Sequence, residues 1–163
     1  MRGVLVALLL MPLGLAGPAA GQDGCGRFGW PLTREIELLS DGYMPAVDAS
    51  SWLPREGAFT LILAPVSSAL YLVTPERGRD DGFGGIVTLQ WIAAGRYQVT
   101  LTDDAWIDVV QDERRLSVLA SVRRTDCPGI RLSLQVELDS KPLTLQFGGA
   151  EVRRLGITVL RSP

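Results

Sequence analysis

The chain has 163 residues, with 16 basic and 18 acidic side chains, a formal charge of −2 and no histidine. A mildly acidic balance leaves no electrostatic footprint for nucleic acid or for an anionic membrane surface. Without an imidazole there is no Ser-His-Asp or Cys-His nucleophilic system, no general base with an ordinary pKa near neutrality, and no histidine-ligated zinc or iron.

In chain order, Met1-Arg2-Gly3 followed by the apolar run Val4 to Met11 and the small residues from Gly14 to Gly21 predicts a secretory signal peptide over residues 1–21. The run is too short to span a membrane, which takes about 20 apolar residues. Gln22-Asp23-Gly24 before Cys25 lack the Leu and small residues that precede a lipidated cysteine. A periplasmic or secreted protein is therefore expected. Cleavage takes only Arg2 from the charged residues and leaves about 142 residues, one domain's worth. In that domain, residues 22–57 form an N-terminal segment with a short helix and a loop, and residues 58–163 form the body. Cys25 and Cys127 are the only cysteines, so export predicts a disulfide between them that ties the N-terminal segment to the body.

Leu32, Ile36 and Leu39 share one helical face, with Asp41-Gly42 as the stop, and this helix is expected to cover an open end or edge of the sheets. Tyr43 to Arg55, with two prolines, reads as a loop. Ala58 to Ala64 is an apolar strand at the centre of the core. Leu70 to Val73, bracketed by Pro65 and Pro75, is a weaker strand. Pro75 to Gly85 is the longest polar, glycine-rich loop. Ile86 to Ile92, Tyr97 to Leu101 and Ala105 to Val110 are joined by short turns and read as an antiparallel meander. Within it, Ala94 to Gln111 forms a β-hairpin. The charged turn Gln111 to Arg115 leads to a strand over Leu116 to Val122. Ile130 to Leu138 alternates apolar and polar residues throughout, Leu143 to Phe147 returns the chain, Gly148-Gly149 breaks it, and Leu155 to Leu160 closes it. Eight or nine strands at this spacing predict an all-β protein: an antiparallel, jelly-roll-like β-sandwich with one short N-terminal helix.

No nucleophile elbow, phosphate-binding loop or dinucleotide fingerprint occurs. Lys141, the only lysine, sits in a turn. Carboxylates are the remaining acid/base groups. Asp103 and Asp104 suit turn capping, with calcium binding as the alternative; Asp80-Asp81 divides the same way. On the strand Ala105 to Val110, Ile107 and Val109 share one face while Trp106 and Asp108 share the other. An exposed indole beside a carboxylate can stack on and orient a sugar or another flat ligand. The competing expectation places the helix or the N-terminal segment over Trp106. Trp30, Trp52 and Trp91 divide between core or lid packing and ligand contact, with packing favoured.

Trp106 to Gln111, Asp126 to Arg131 and Pro142 to Gln146, with Trp30-Pro31-Leu32 and Pro75-Glu76-Arg77, resemble a family of small exported proteobacterial proteins across nearly the whole mature chain. That family carries no established activity, so the resemblance implies no residue roles. Some members bear the label homogentisate 1,2-dioxygenase, an enzyme whose iron is held by histidines and a carboxylate. This chain has no histidine to supply. At fold level it is also similar to secreted pre-peptidase C-terminal domains, where an Ala-Gly-x-Tyr turn opens a strand, and fold likeness does not establish function.

The expected protein is thus an exported, non-catalytic binding or interaction module without cofactor, metal site or catalytic residue. Its expected ligand residues are Trp106, Asp108, Asp103 and Asp104, and its partner a glycan or an envelope protein. The alternatives are a carboxylate-dependent glycan-active enzyme and an envelope structural or assembly partner.

Overall fold

A computed structural model describes residues 24–75 and 81–163. The expected signal peptide lies outside the described residues, as do Glu76 to Asp80 of the long loop. The described chain forms strands β1 (Ala46–Asp48), β2 (Ser51–Leu53), β3 (Gly57–Ile62), β4 (Ala64–Pro65), β5 (Phe83–Leu89), β6 (Gly95–Leu101), β7 (Trp106–Gln111), β8 (Arg114–Arg115), β9 (Ala120–Arg123), β10 (Leu132–Leu138), β11 (Leu143–Ala150) and β12 (Arg154–Arg161), with one α-helix, α1 (Thr33–Ser40). Two sheets pack face to face in the orders β1-β3-β12-β6-β10-β9 and β2-β5-β11-β7-β8, and β4 pairs with β5. The protein is an all-β sandwich with one short helix.

The core lies between the sheets. From the first sheet come Phe59, Leu61, Val99, Leu101, Leu134, Val136, Ile157 and Val159; from the second come Val87, Leu89, Val109, Leu143, Leu145 and Phe147. Each set follows the two-residue period of its strand. The alternation over Leu132 to Leu138 is realised in β10, whereas Ile130 belongs to a second apolar cluster under the N-terminal segment.

The expected meander and its hairpin are not formed. β5 and β7 lie in one sheet and β6 in the other, so the short connections cross the core as arches. The reason is the occupancy of β6, whose two edges are taken by β10 (Val99 opposite Leu134) and β12 (Val99 opposite Val159). At its end, Thr102 N donates to the Gly156 carbonyl at 3.0 Å and Thr102 Oγ1 accepts from Gly156 N at 2.8 Å. No edge is left for β7, which pairs with β11 instead, Asp108 opposite Gln146. The passages from β10 to β11 and from β11 to β12 cross the core in the same way.

Smaller departures also have local causes. The expected loop from Tyr43 to Arg55 holds β1 and β2, parallel edge strands on β3 and β5, each three residues long and too short to show a period. Leu70 to Val73 forms no strand, and its backbone bonds to a side chain instead. The turn at Asp112-Glu113, with φ of 51° and 57°, closes a two-residue hairpin from β7 to β8. The strand expected from Leu116 is β9 and starts at Ala120. β11 runs through Gly148-Gly149 to Ala150 as a bulge against β5.

α1 has the expected apolar face, but it lies against β12 and β3 on the outer face of the first sheet rather than at an end or edge. The Trp30 Nε1–H donates to Ser133 Oγ at 3.0 Å, and Gln98 Nε2 donates to the Pro31 carbonyl at 3.3 Å. The Cys25–Cys127 disulfide is formed, closing a span of 102 residues, and packs with Phe28, Leu32 and Ile130. Beside it, Arg124 hydrogen-bonds Asp126 and holds its carboxyl down at about 2, with Arg27 adding to the effect.

Two outcomes follow from this arrangement. Chain-entropy reasoning gives the long disulfide loop roughly 4–5 kcal/mol. The double variant C25S/C127S should lose a comparable amount in urea unfolding, and a loss below about 1 kcal/mol would assign the N-terminal docking to packing alone. Glu35, a residue of α1, is 4% exposed, and burial raises its carboxyl pKa against its backbone bond, Arg34 and a Gln98 hydrogen bond. Its favourable contribution is full below the ordinary carboxylate range and is lost as pH rises through the raised value. Glu35→Gln should therefore melt higher than the parent at pH 7 and converge with it in acid, as read by thermal unfolding across pH.

Candidate functional site

Trp106 and Asp108 project from the outer face of the second sheet, as their strand period requires, and that face is covered. The cover is the segment around Tyr71 to Thr74, not the helix or the N-terminal segment. The Gln146 side chain accepts from Val73 N at 2.9 Å and donates to the Val73 carbonyl at 3.1 Å, sewing the segment to β11. The Tyr71 hydroxyl donates to the Phe147 carbonyl at 2.9 Å, and its ring lies 5.2 Å from the Trp106 ring, tilted by 54°. Burial and the Asp108 charge raise the Tyr71 pKa. On its other side the indole lies against the backbone of Gly148, where a Cβ would collide with it. Trp106 is half-buried, and its Nε1 is buried without a partner.

Asp108 is buried and ion-paired. Arg115 Nε donates to its Oδ1 at 2.8 Å, and Gln146 Nε2 approaches its Oδ2 at 3.4 Å. Arg115 also donates to the Thr74 carbonyl, completing a polar seam beneath the covering segment. At the β6–β7 arch, Asp103 Oδ1 accepts from Asp104 N at 2.6 Å, the local cap expected of a turn aspartate. Asp104 pairs with Arg123 of β9, which also donates to the Ala105 carbonyl at 3.2 Å and so ties the two sheets together. Asp80 lies outside the described residues, and Asp81 has an interaction partner. Among the described residues no group of three His, Cys, Asp or Glu side chains is arranged to hold a metal ion.

A cavity of about 460 Å³ opens between the sheets beside β7 and β9, lined by Ile107, Val109, Leu132 and Leu134 with Asp108, Arg115 and Arg123. Its charged groups are bonded to one another or to backbone.

A second cavity, of about 640 Å³, lies at one end of the sandwich, and its two tryptophans face water. Trp52 from β2 is 59% exposed and Trp91, just after β5, is 66% exposed. Arg55 and Glu56 come from the β2–β3 turn, Gln90 from the end of β5, Tyr97 from β6 and Arg161 from the end of β12. Tyr97 is buried with its hydroxyl bonded to Glu56. Burial raises its pKa first, the Glu56 charge and hydrogen bond raise it further, and Arg161 opposes them. Arg161 stands opposite Tyr97 in the ladder and donates to the Ala94 carbonyl at 2.8 Å. Gly95, with a positive φ of 143°, makes this possible, because a Cβ there would lie 2.7 Å from the guanidinium.

Periodicity hides this site. Val87 and Leu89 point inward, and continuing their two-residue step places Trp91 in the core. β5 ends at Leu89, however, and Ile92 takes the buried position. Trp52 sits on a strand too short to assign a face. The visible signal is the pairing of each tryptophan with a turn: Trp52 before Leu53-Pro54 and Trp91 before Ile92-Ala93-Ala94-Gly95.

No family model, no curated protein and no solved structure matches this chain.

The packing of Trp106 on Gly148 is testable. Gly148→Ala should destabilise the fold by about 1–3 kcal/mol, the range for overpacking a well-filled site. The accompanying readout is a change in Trp fluorescence as the indole is displaced. Unchanged stability would show that the indole has room to move.

Proposed function

We propose that this protein is an exported, non-catalytic ligand-binding module of the cell envelope, and that its binding site is the sandwich-end cavity flanked by Trp52 and Trp91. The observation that carries the reading is the exposure of two of the four tryptophans at the mouth of one cavity. Exposed indoles cost solvation and are commonly retained for contact with a partner. Flat apolar faces beside Glu56, Gln90 and two guanidinium groups suit a saccharide, whose ring C–H faces stack on indole while its hydroxyls take the polar groups. The signal-like leader, the disulfide and the resemblance to exported proteins support an envelope setting; no helix among the described residues is long and apolar enough to cross a membrane. A carboxylate-dependent enzyme draws no support from this geometry, because Asp108 is held by Arg115 and Glu56 by the Tyr97 hydroxyl.

A glycan array followed by Trp fluorescence titration tests the reading. Trp52→Ala and Trp91→Ala should each weaken saccharide binding by roughly 5–30-fold, the equivalent of about 1–2 kcal/mol. Their melting temperatures should stay near the parent's because both side chains face water. Absence of any saccharide ligand, or unchanged affinity in both variants, would sink the proposal.

A further inference from the structure

We infer that the ligand of the Trp52/Trp91 cavity is an acidic saccharide, a uronic acid residue whose carboxylate is taken by Arg55 with Arg161 beside it. The inference rests on the binding-module reading and names its ligand class.

The charges around the cavity are unevenly committed. Glu56, its carboxylate, already accepts the Tyr97 hydroxyl. Arg55 is exposed and makes no hydrogen bond or ion pair with a described residue. Arg161 uses one N–H on the Ala94 carbonyl and is held in place by the close approach to Gly95, which leaves the rest of its fork open. Asp41 lines the neighbouring cleft behind Arg55 and Glu56, not this cavity. The cavity thus presents an excess of unpaired positive charge on a chain whose formal charge is −2.

An anionic ligand resolves this imbalance. A guanidinium fork matches a planar carboxylate through two parallel N–H···O bonds, a geometry that a hydroxyl cannot offer. The two indoles require that the anion be attached to a body with an apolar face, which a pyranose supplies. The cavity volume of about 640 Å³ falls in the usual range for small-molecule sites.

The test uses the mature protein with trimers of galacturonate and mannuronate, their methyl esters, and poly-glutamate, titrated by Trp fluorescence and calorimetry at low ionic strength. The free acid of at least one uronate should bind about tenfold more tightly than its ester, and added salt should narrow the gap. Arg55→Gln should abolish the preference for the acid over the ester, while Trp91→Ala should weaken both and keep the preference. Equal binding of acid and ester, or an Arg55→Gln variant that keeps the preference, overturns the acidic ligand and leaves the tryptophan site standing. Poly-glutamate competing as well as the uronate overturns the saccharide and assigns the cavity to acidic peptide. Failure of every saccharide, esters included, overturns both this inference and the reading beneath it.

Discussion

Strand β6 is paired along both edges, to β12 on one side and β10 on the other, and the arrangement of the chain depends on it. A strand with both ladders filled cannot form a hairpin with its sequence neighbours. β5 and β7 are therefore forced across the core, where both pair with β11. Short connections such as the one from Thr102 to Ala105 become arches, with the two ends of this one braced by Gly156 of β12 and Arg123 of β9, both on the first sheet. Two sheets built this way share few local contacts, so the fold draws its stability from pairings distant in sequence.

The two outer faces are handled differently. Over the first sheet, the N-terminal segment lays down a second apolar cluster, tied by the disulfide and by the Trp30–Ser133 and Gln98–Pro31 hydrogen bonds. Over the second, a strap around Tyr71 to Thr74 uses the Gln146 amide in place of a neighbouring strand, and Trp106 fills the space above Gly148. Both covers turn polar outward-facing positions into buried ones, as with Ser133, Asp108 and Gln146. That burial explains why an aromatic and acidic cluster legible as a ligand platform is engaged with the protein itself. The end of the sandwich has no such cover, and there Trp52 and Trp91 remain in water.

Much of the architecture was legible in the residues. The alternation in Leu132 to Leu138 specified a one-sided strand, the spacing of Leu32, Ile36 and Leu39 specified a helix, and the presence of only two cysteines specified the partners of the bond between them. That Trp106 and Asp108 share a face also followed from period alone. What covers that face did not, because the strap holds it with backbone-to-side-chain bonds that leave no periodic trace. Trp91 was hidden for a related reason: the strand stops one step before the period would bury it.

By itself the sequence determined which residues share a face, since a two-residue period separates the faces of any strand whatever its neighbours. It determined the class of fold and the helix for the same local reasons, and the disulfide because the chain holds only two cysteines. Only the tertiary structure decided which strands are neighbours, because a hairpin and an arch carry the same alternation and differ only in where the second strand finds a free edge. The candidate site belongs to that second category. Trp52, Arg55, Trp91 and Arg161 come from separate parts of the chain, and no local rule joins them; they meet because the ends of β2, β5 and β12 are brought to one end of the sandwich.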